Sequence, residues 1–306
     1  MKKNGFIHEI KKNKMLYLMM IPGLLLVLIF SYIPMAGITV AFRDGRTVSG
    51  YFTGDWVGFD NFKFFFASQD AARITFNTVN MNFWFILTGT VGAVLCALLL
   101  NELKKRMLVK VYQTIMFMPY FLSWVIMGFV SFAFLSVDNG YINSILTGIG
   151  MEPVDWYGNP DYWPTILIIV NLIKGLGYNT VVYFAGISGI DQSLYEAAEI
   201  DGANKFRQII HITLPLLTPL ISVLVLLSIG KIFYADFGLF YYIPRETGVL
   251  FSKTDVIDTY VYRALRQLGN TGMSAAIGLF QSAVGFVLVL TSNLIVKKRN
   301  PDNALF

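Results

Sequence analysis

Apolar residues in this chain come in six long runs separated by more polar segments. The runs cover about residues 15–41, 75–101, 111–135, 163–187, 215–235 and 272–296. A helix needs about 20 mainly apolar residues to cross a bilayer. The pattern therefore predicts an all-α membrane protein with six transmembrane helices. Prolines add detail. Pro22 and Pro34 mark the start of the first span and a bend near its outer end, and Pro119 marks a kink in the third. Residues 43–74 form a polar and aromatic segment punctuated by glycines. Its Trp56, Phe59, Phe62, Phe64, Phe65 and Phe66 suit a membrane interface or packing on the outer surface. Residues 236–271 read as a polar loop of mixed charge. No soluble domain and no repeat of about 20–50 residues stands out. The expected division is a segment 1–14, able to form a short surface helix, a membrane domain over 15–299, and a tail 300–306.

The connection between the fourth and fifth spans, residues 188–214, has its own pattern. Ser193-Leu194-Tyr195-Glu196 has the spacing of a capping box, with Ser193 capping a new helix and Glu196 reaching back to its amide. Leu194, Ala197 and Ala198 then share one face. Gly202 ends or bends that helix, and a second short helix is expected from Ala203 to about His211, before Pro215 opens the next span. The result is a helix-turn-helix knob with a face of small side chains.

Charge orients the spans. Of the 24 lysines and arginines, five lie in residues 1–14, four in 102–110, two in 188–214 and three at Lys297-Lys298-Arg299. The three opposite loops hold eight, spread over many more residues. The positive-inside rule then places both termini and the 188–214 connection in the cytoplasm of a multi-pass membrane protein. A basic start before an apolar run also describes a signal peptide. This run is too long for such a core and lacks a small-x-small cleavage site, so an uncleaved helix is expected.

Composition narrows the classes. The chain is 55% hydrophobic and only 14% charged, against roughly a quarter charged in soluble domains. Its net charge of +5 sits beside the spans, so membrane topology explains it and a nucleic-acid partner is not expected. The single cysteine, Cys96, lies within a span, reads as a packing residue and offers no metal set. Both histidines, His8 and His211, fall at the cytoplasmic surface, and no span carries an acidic residue well inside it. A membrane-embedded enzyme is therefore not indicated.

The motif Glu196-Ala197-Ala198, three residues, Gly202, nine residues, Ile212-x-Leu214-Pro215 resembles the EAA loop of ABC-importer permeases. The likeness extends along most of the chain. Lys14-Met15-Leu16-Tyr17-Leu18, Ile21-Pro22-Gly23 and Tyr32-Ile33-Pro34-Met35 resemble the start of the carbohydrate-uptake subgroup, particularly permeases for oligo- or polysaccharide fragments. The resemblance implies the type I importer fold, with the loop docking into a cytoplasmic ATPase. Glu196, Ala197, Ala198, Asp201, Gly202, Ala203, Phe206, Leu214 and Pro215 would then be the coupling residues. Glu196 would pair with a basic ATPase residue, cap its own helix, or both. Replacing Gly202 by Asp or Ala198 by Glu is expected to leave the protein in the membrane and uncouple hydrolysis from uptake.

The resemblance further implies a second homologous permease chain, a pair of ATPase subunits and an extracellular substrate-binding protein, a lipoprotein in many such systems. No phosphate-binding loop is visible: Gly230-Lys231 is followed by Ile232 and lacks the earlier glycine. ATP and Mg would be used by the partner, and no cofactor is expected on this chain.

Polar groups inside spans mark a path, because they are costly against lipid. The candidates are Asn80 (with Asn77 and Asn82 nearby), Asn171, Lys174, Tyr178, Asn179, Lys231, Tyr234 and Gln281. Asn171, Lys174 and Tyr178 share one helical stripe. Amides and aromatics suit sugars, though polar packing between helices remains open for each. Lys174 either contacts the path or forms an internal ion pair. If Lys174 and Lys231 both line the path, an acidic, uronate-containing oligosaccharide is the natural cargo. The other class left open is an ion-coupled secondary transporter of a small polar solute.

Overall fold

The structure, a computed structural model, describes residues 12–44, 53–67, 69–103, 105–299 and 304. The expected surface helix over 1–14 and the tail 300–306 lie almost wholly outside them. Among the described residues the elements are helical, apart from one isolated antiparallel bridge between Arg43 and Trp56. Five helices among the described residues are long and apolar enough to cross a membrane: Lys14–Phe42, Asp70–Asn101, Pro160–Ser188, Lys205–Ile229 and Thr271–Lys298. A sixth arises if Arg106–Phe121 and Trp124–Leu135 count as one span. By contact density the chain divides into two compact units: residues 1–67 with 264–279, and residues 68–263 with 280–306.

In the first unit, α1 (Lys14–Val27) continues through a π turn at Leu28–Tyr32 into a 3-10 helix, Ile33–Phe42. Pro22 lies inside α1 rather than at its start, and Pro34 takes the second position of the 3-10 helix. Its most apolar window has no residue buried within the chain, and only Val40 and Ala41 at its far end are covered, as expected of a helix whose solvent is lipid or a partner. Below it α2 (Asp60–Phe66) is tied back by Asn61, whose Nδ2 donates to the carbonyls of Ala41 (2.9 Å) and Arg43 (2.8 Å). Phe42 stacks on Trp56 and meets Phe59 and Phe62 edge-on or tilted, so part of the aromatic segment packs on itself.

The second unit is built on α3 (Gln69–Asn101) and α7 (Trp163–Ser188), which run against each other along much of their length. One core gathers Met81, Met127, Trp163, Leu167, Leu239, Ile243 and Leu250; another gathers Ala93, Ala97, Tyr183, Ile187 and Leu217. The 236–271 segment contradicts its reading as a polar loop. It folds into α11 (Phe237–Tyr242), α12 (Phe251–Thr254) and α13 (Ile257–Leu268), and it supplies Leu239, Phe240, Ile243, Leu250, Val256 and Ile257 to the interior. Asp255, 1% exposed, is paired with Arg263 (2.6 Å) and receives Thr259 Oγ1 (2.8 Å). Asn77 donates to the Asp255 carbonyl (3.0 Å), which pins this segment to α3.

The third span is also more than kinked. Helix α4 (Arg106–Phe117) runs into a 3-10 turn at Met118–Phe121, and α5 (Trp124–Leu135) leaves at 100°. Pro119 removes an amide inside that turn, and Ser123 Oγ caps the new helix at the Ile126 amide. The break exposes carbonyls that a straight helix would satisfy. Lys174, from α7, reaches across and donates to the carbonyls of Tyr120 (3.0 Å) and Leu122. Gly177 lets α7 come so close to α4 that a Cβ there would strike the Met116 carbonyl.

Candidate functional site

Two regions hold the residues singled out from sequence. The first is the 188–214 connection. Helix α8 (Gln192–Ile200) begins two residues earlier than a capping box at Ser193 requires. Asp191 is the cap, and its Oδ1 accepts the Ser193 amide at 3.0 Å. That bond holds the Asp191 carboxyl below its ordinary range. Because Ser193 spends its amide on Asp191, the expected return bond from Glu196 is not made. The far end closes with paired backbone bonds, Gly202 N to the Glu199 carbonyl (3.0 Å) and Ala203 N to the Ala198 carbonyl (2.8 Å). This is the Schellman arrangement, which needs a left-handed residue after the helix, and Gly202 has φ +77°. A Cβ on Gly202 would meet nothing within 4 Å. Within this chain its backbone angle, rather than its small size, calls for glycine.

The second helix of the knob differs from expectation. Asn204 caps α9 (Lys205–Gln208) through the Arg207 amide (2.9 Å). From there a π turn, Ile209–Thr213, leads directly into α10 (Leu214–Ile229). Pro215 does not open a new span; it lies in one helical rod running Lys205–Ile229. Tyr195 Oη bonds Thr213 Oγ1 at 2.9 Å, tying α8 to the rod. Glu196, Ala197, Asp201 and Pro215 are exposed, whereas Ala198, Ala203 and Leu214 are half-buried. Ile200 is 88% exposed and Phe206 69%, so the knob presents large apolar side chains without cover from its own chain.

The second region is a cavity of about 510 Å³. It is lined by Asn171, Asn179 and Tyr183 of α7, Asn82, Phe85 and Thr90 of α3, and Ser228, Lys231, Tyr234 and Asp236 beyond or at the end of α10. Helix α10 stops at Ile229, so Lys231 and Tyr234 lie in a turn past its end, not within a fifth span reaching residue 235. Asn82 holds that turn through the carbonyls of Ile232 and Tyr234 (both 3.0 Å). Gln281 holds it from α14 (Thr271–Arg299), donating to the Phe233 carbonyl at 2.7 Å. Tyr234 Oη bonds Ser282 Oγ at 2.6 Å. Gly285 and Gly230 allow this contact, since a Cβ on Gly285 would come 2.7 Å from the Gly230 carbonyl.

The structure separates residues that the α7 stripe grouped together. Asn171 and Asn179 face the cavity. Lys174 and Tyr178 turn to the broken span, where the Lys174 ammonium lies 5.0 Å from the Trp124 ring centre and Tyr178 stacks on Tyr120. Lys174 thus finds carbonyls and aromatic faces in place of a carboxylate. Asn80 is half-buried on α3, and Gln281 is buried against the turn; neither lines the cavity. Among the described residues no carboxylate is within ion-pair distance of Lys231, so its charge is available to the cavity. Asp236 also lines it, and its oxygens are occupied by Trp124 Nε1 (2.8 Å) and the Gly238 amide (2.9 Å). Tyr183, Thr90 and Ser228 belong to the lining but were absent from the sequence candidates. The four-residue step from Asn179 to Tyr183 is the sequence signal for the first of them.

Residues 89–300 match the family model described as binding-protein-dependent transport system inner membrane component. Protein LplB of Bacillus subtilis is 37% identical over 96% of this chain and 92% of its own length. The polygalacturonan/rhamnogalacturonan transport system permease protein YteP of the same organism is 35% identical over 97% of this chain and 92% of its own. Among solved structures, a chain of a bacterial ABC transporter involved in the import of the acidic polysaccharide alginate superposes with TM-score 0.87. It shares 33% identity, covering 95% of this chain and 98% of that one.

Proposed function

This chain belongs to the family of binding-protein-dependent transport system inner membrane components, and from that membership we propose that it forms the path of an ATP-driven importer for acidic oligosaccharides. It is a multi-pass membrane permease of a carbohydrate ABC importer and is not itself the catalytic subunit. Membership sets aside the ion-coupled secondary transporter.

The observation that carries the mechanism is the unbroken rod Lys205–Ile229. A partner ATPase gripping the knob at Glu196, Ala197, Ala198, Asp201, Gly202, Ala203 and Phe206 pushes on a helix that continues past Leu214 and Pro215 to the edge of the cavity. Closure of a pair of ATPase subunits around ATP and Mg then moves Ser228 and the Lys231–Tyr234 turn relative to α7, switching access from one side to the other. The exposed Ile200 and Phe206 supply apolar area for that grip. Topology follows the charge asymmetry, with both termini and the knob cytoplasmic and the membrane domain over 15–299. A second permease chain encloses the rest of the path, and a substrate-binding protein, lipid-anchored in many such systems, delivers cargo from outside.

Cargo chemistry follows from the cavity. Amides and hydroxyls at Asn171, Asn179, Tyr183 and Tyr234 match sugar hydroxyls, and Lys231 supplies a cation for a carboxylate. Polygalacturonan and alginate, named for a relative and for a structural neighbour, are uronate polymers with that chemistry. The test is uptake by the reconstituted complex. Lys231→Met should reduce the preference for a uronate oligosaccharide over its methyl ester, and an unchanged preference would remove the acidic assignment.

A further inference from the structure

A second concave site lies at the other end of α11, outside the cavity just described. Its volume is about 260 Å³ and its walls are Val125, Gly128, Phe129, Tyr241, Tyr242, Arg245 and Glu246. Helices α5 and α11 meet there through glycines. A Cβ on Gly128 would come 2.7 Å from the Tyr242 carbonyl, and one on Gly238 would strike the Trp124 ring. The floor is aromatic. Tyr241 stacks on Phe237 at 4.8 Å and meets Tyr242 edge-on at 5.0 Å, with Tyr262 behind at 5.4 Å. Phe129 is 68% exposed beside them.

The rim is charged and strained. Arg245 (φ +58°) and Glu246 (φ +49°) are consecutive left-handed residues, and neither is glycine. Such a conformation is strained for a residue with a Cβ and gathers at sites where geometry serves a ligand. The turn is braced from both sides. Thr247 donates amide and hydroxyl back to the Pro244 carbonyl, and Tyr157 donates to the Ile243 carbonyl. Its effect is to seat the Arg245 guanidinium 4.0 Å from the Phe132 ring centre, at the edge of the concavity. Burial pushes the Tyr241 phenol up to about 12, with the Glu246 carboxylate adding to the shift. Like an ordinary phenol, Tyr241 is neutral at physiological pH, and its hydroxyl is shared with Tyr262 and Glu246.

Aromatic faces, a guanidinium and a carboxylate around one hollow suit a sugar ring that carries an acid group. The ring stacks on the tyrosines, the carboxylate takes the planar fork of arginine, and hydroxyls donate to glutamate. We infer that Tyr241, Tyr242, Arg245 and Glu246 form an outer uronate subsite, which receives one sugar of an acidic chain while another occupies the Lys231 cavity. The inference rests on the proposed cargo class. The six residues of α11, about 9 Å at 1.5 Å per residue, separate Asp236 at the cavity from Tyr242 at the subsite. The pair therefore selects a chain of linked sugars over a single one.

The test uses the full complex in proteoliposomes, with an alginate oligosaccharide and its methyl ester as probes. Arg245→Asn keeps a residue that tolerates the left-handed turn and removes the charge. Its KM for the acid should rise about tenfold or more, as loss of a charge-assisted bond requires. The methyl ester should be moved as before, and Arg245→Lys should recover part of the affinity. Unchanged KM for the acid in Arg245→Asn overturns the subsite while leaving the cargo class standing. Equal losses for both probes also overturn it, because they mean the turn is only structural. If the unaltered complex moves no acidic oligosaccharide, the cargo class falls and the subsite with it.

Discussion

At the scale of single residues, the two lysines among the path candidates have opposite situations. Lys174 is consumed by the carbonyls of the broken span, while Lys231 lines the cavity with no carboxylate in reach among the described residues. Lys174→Met should therefore destabilise the permease by about 1 kcal/mol, the loss of hydrogen bonds to one exposed and one half-buried carbonyl. It should leave the ratio of acidic to neutral uptake unchanged. Thermal unfolding of the purified complex and paired uptake rates measure both. Sequence alone shows that both lysines sit among apolar residues, but it cannot tell a free cation from one that mends a helix break. The break is a tertiary feature, visible only once α5 turns away from α4. Gly202 makes a similar point. Its motif position is legible, yet its reason is the φ of +77° that closes α8. Gly202→Asn should keep ATP-driven uptake near normal. Gly202→Val should cost the turn roughly 1–2 kcal/mol and depress uptake while hydrolysis continues. Equal uptake in both variants would contradict this role.

At the scale of elements, the spans with clean apolar runs are readable directly. The 163–187 and 272–296 runs become Trp163–Ser188 and Thr271–Arg299, because lipid imposes length and composition on any crossing helix. Segments whose apolar residues meet protein are not readable in that way. Phe237–Ile243 is too short to suggest a span and is flanked by charges, yet it fills the core between α3, α5 and α7. The charges are paired locally: Asp255 with Arg263, and Asp258 with the Ala235 amide (2.7 Å) and Gln281. Burial pushes the Asp258 carboxyl up, partly offset by those bonds. A buried ion pair broken on one side costs about 3–5 kcal/mol. Asp255→Ala should accordingly lower the unfolding midpoint far more than Asp60→Ala, whose exposed partner Lys63 contributes little. Similar midpoints for the two variants would show that the 236–271 segment is not held by this pair.

At the scale of the whole molecule, the account joins a knob, a rod and a cavity into one transmission. The positive-inside pattern and the EAA spacing are independent readings of the sequence, and they agree on the connection expected to face the ATPase. The fold class was legible because both lipid and the partner ATPase act through short-range rules of composition and spacing. The cavity lining was only partly legible, since Asn171, Asn179, Lys231 and Tyr234 are polar residues near apolar runs but Thr90 and Tyr183 look like ordinary packing. Partners are the decisive feature, because a permease of this family is not itself the catalytic subunit. The most direct test is uptake of a uronate oligosaccharide by proteoliposomes carrying this permease, its sister chain, the ATPase subunits and the binding protein. The account predicts accumulation that requires ATP and ceases when the ATPase is omitted or the knob carries Ala198→Glu. Accumulation by the permease chains alone, driven by an ion gradient without the ATPase, would contradict it.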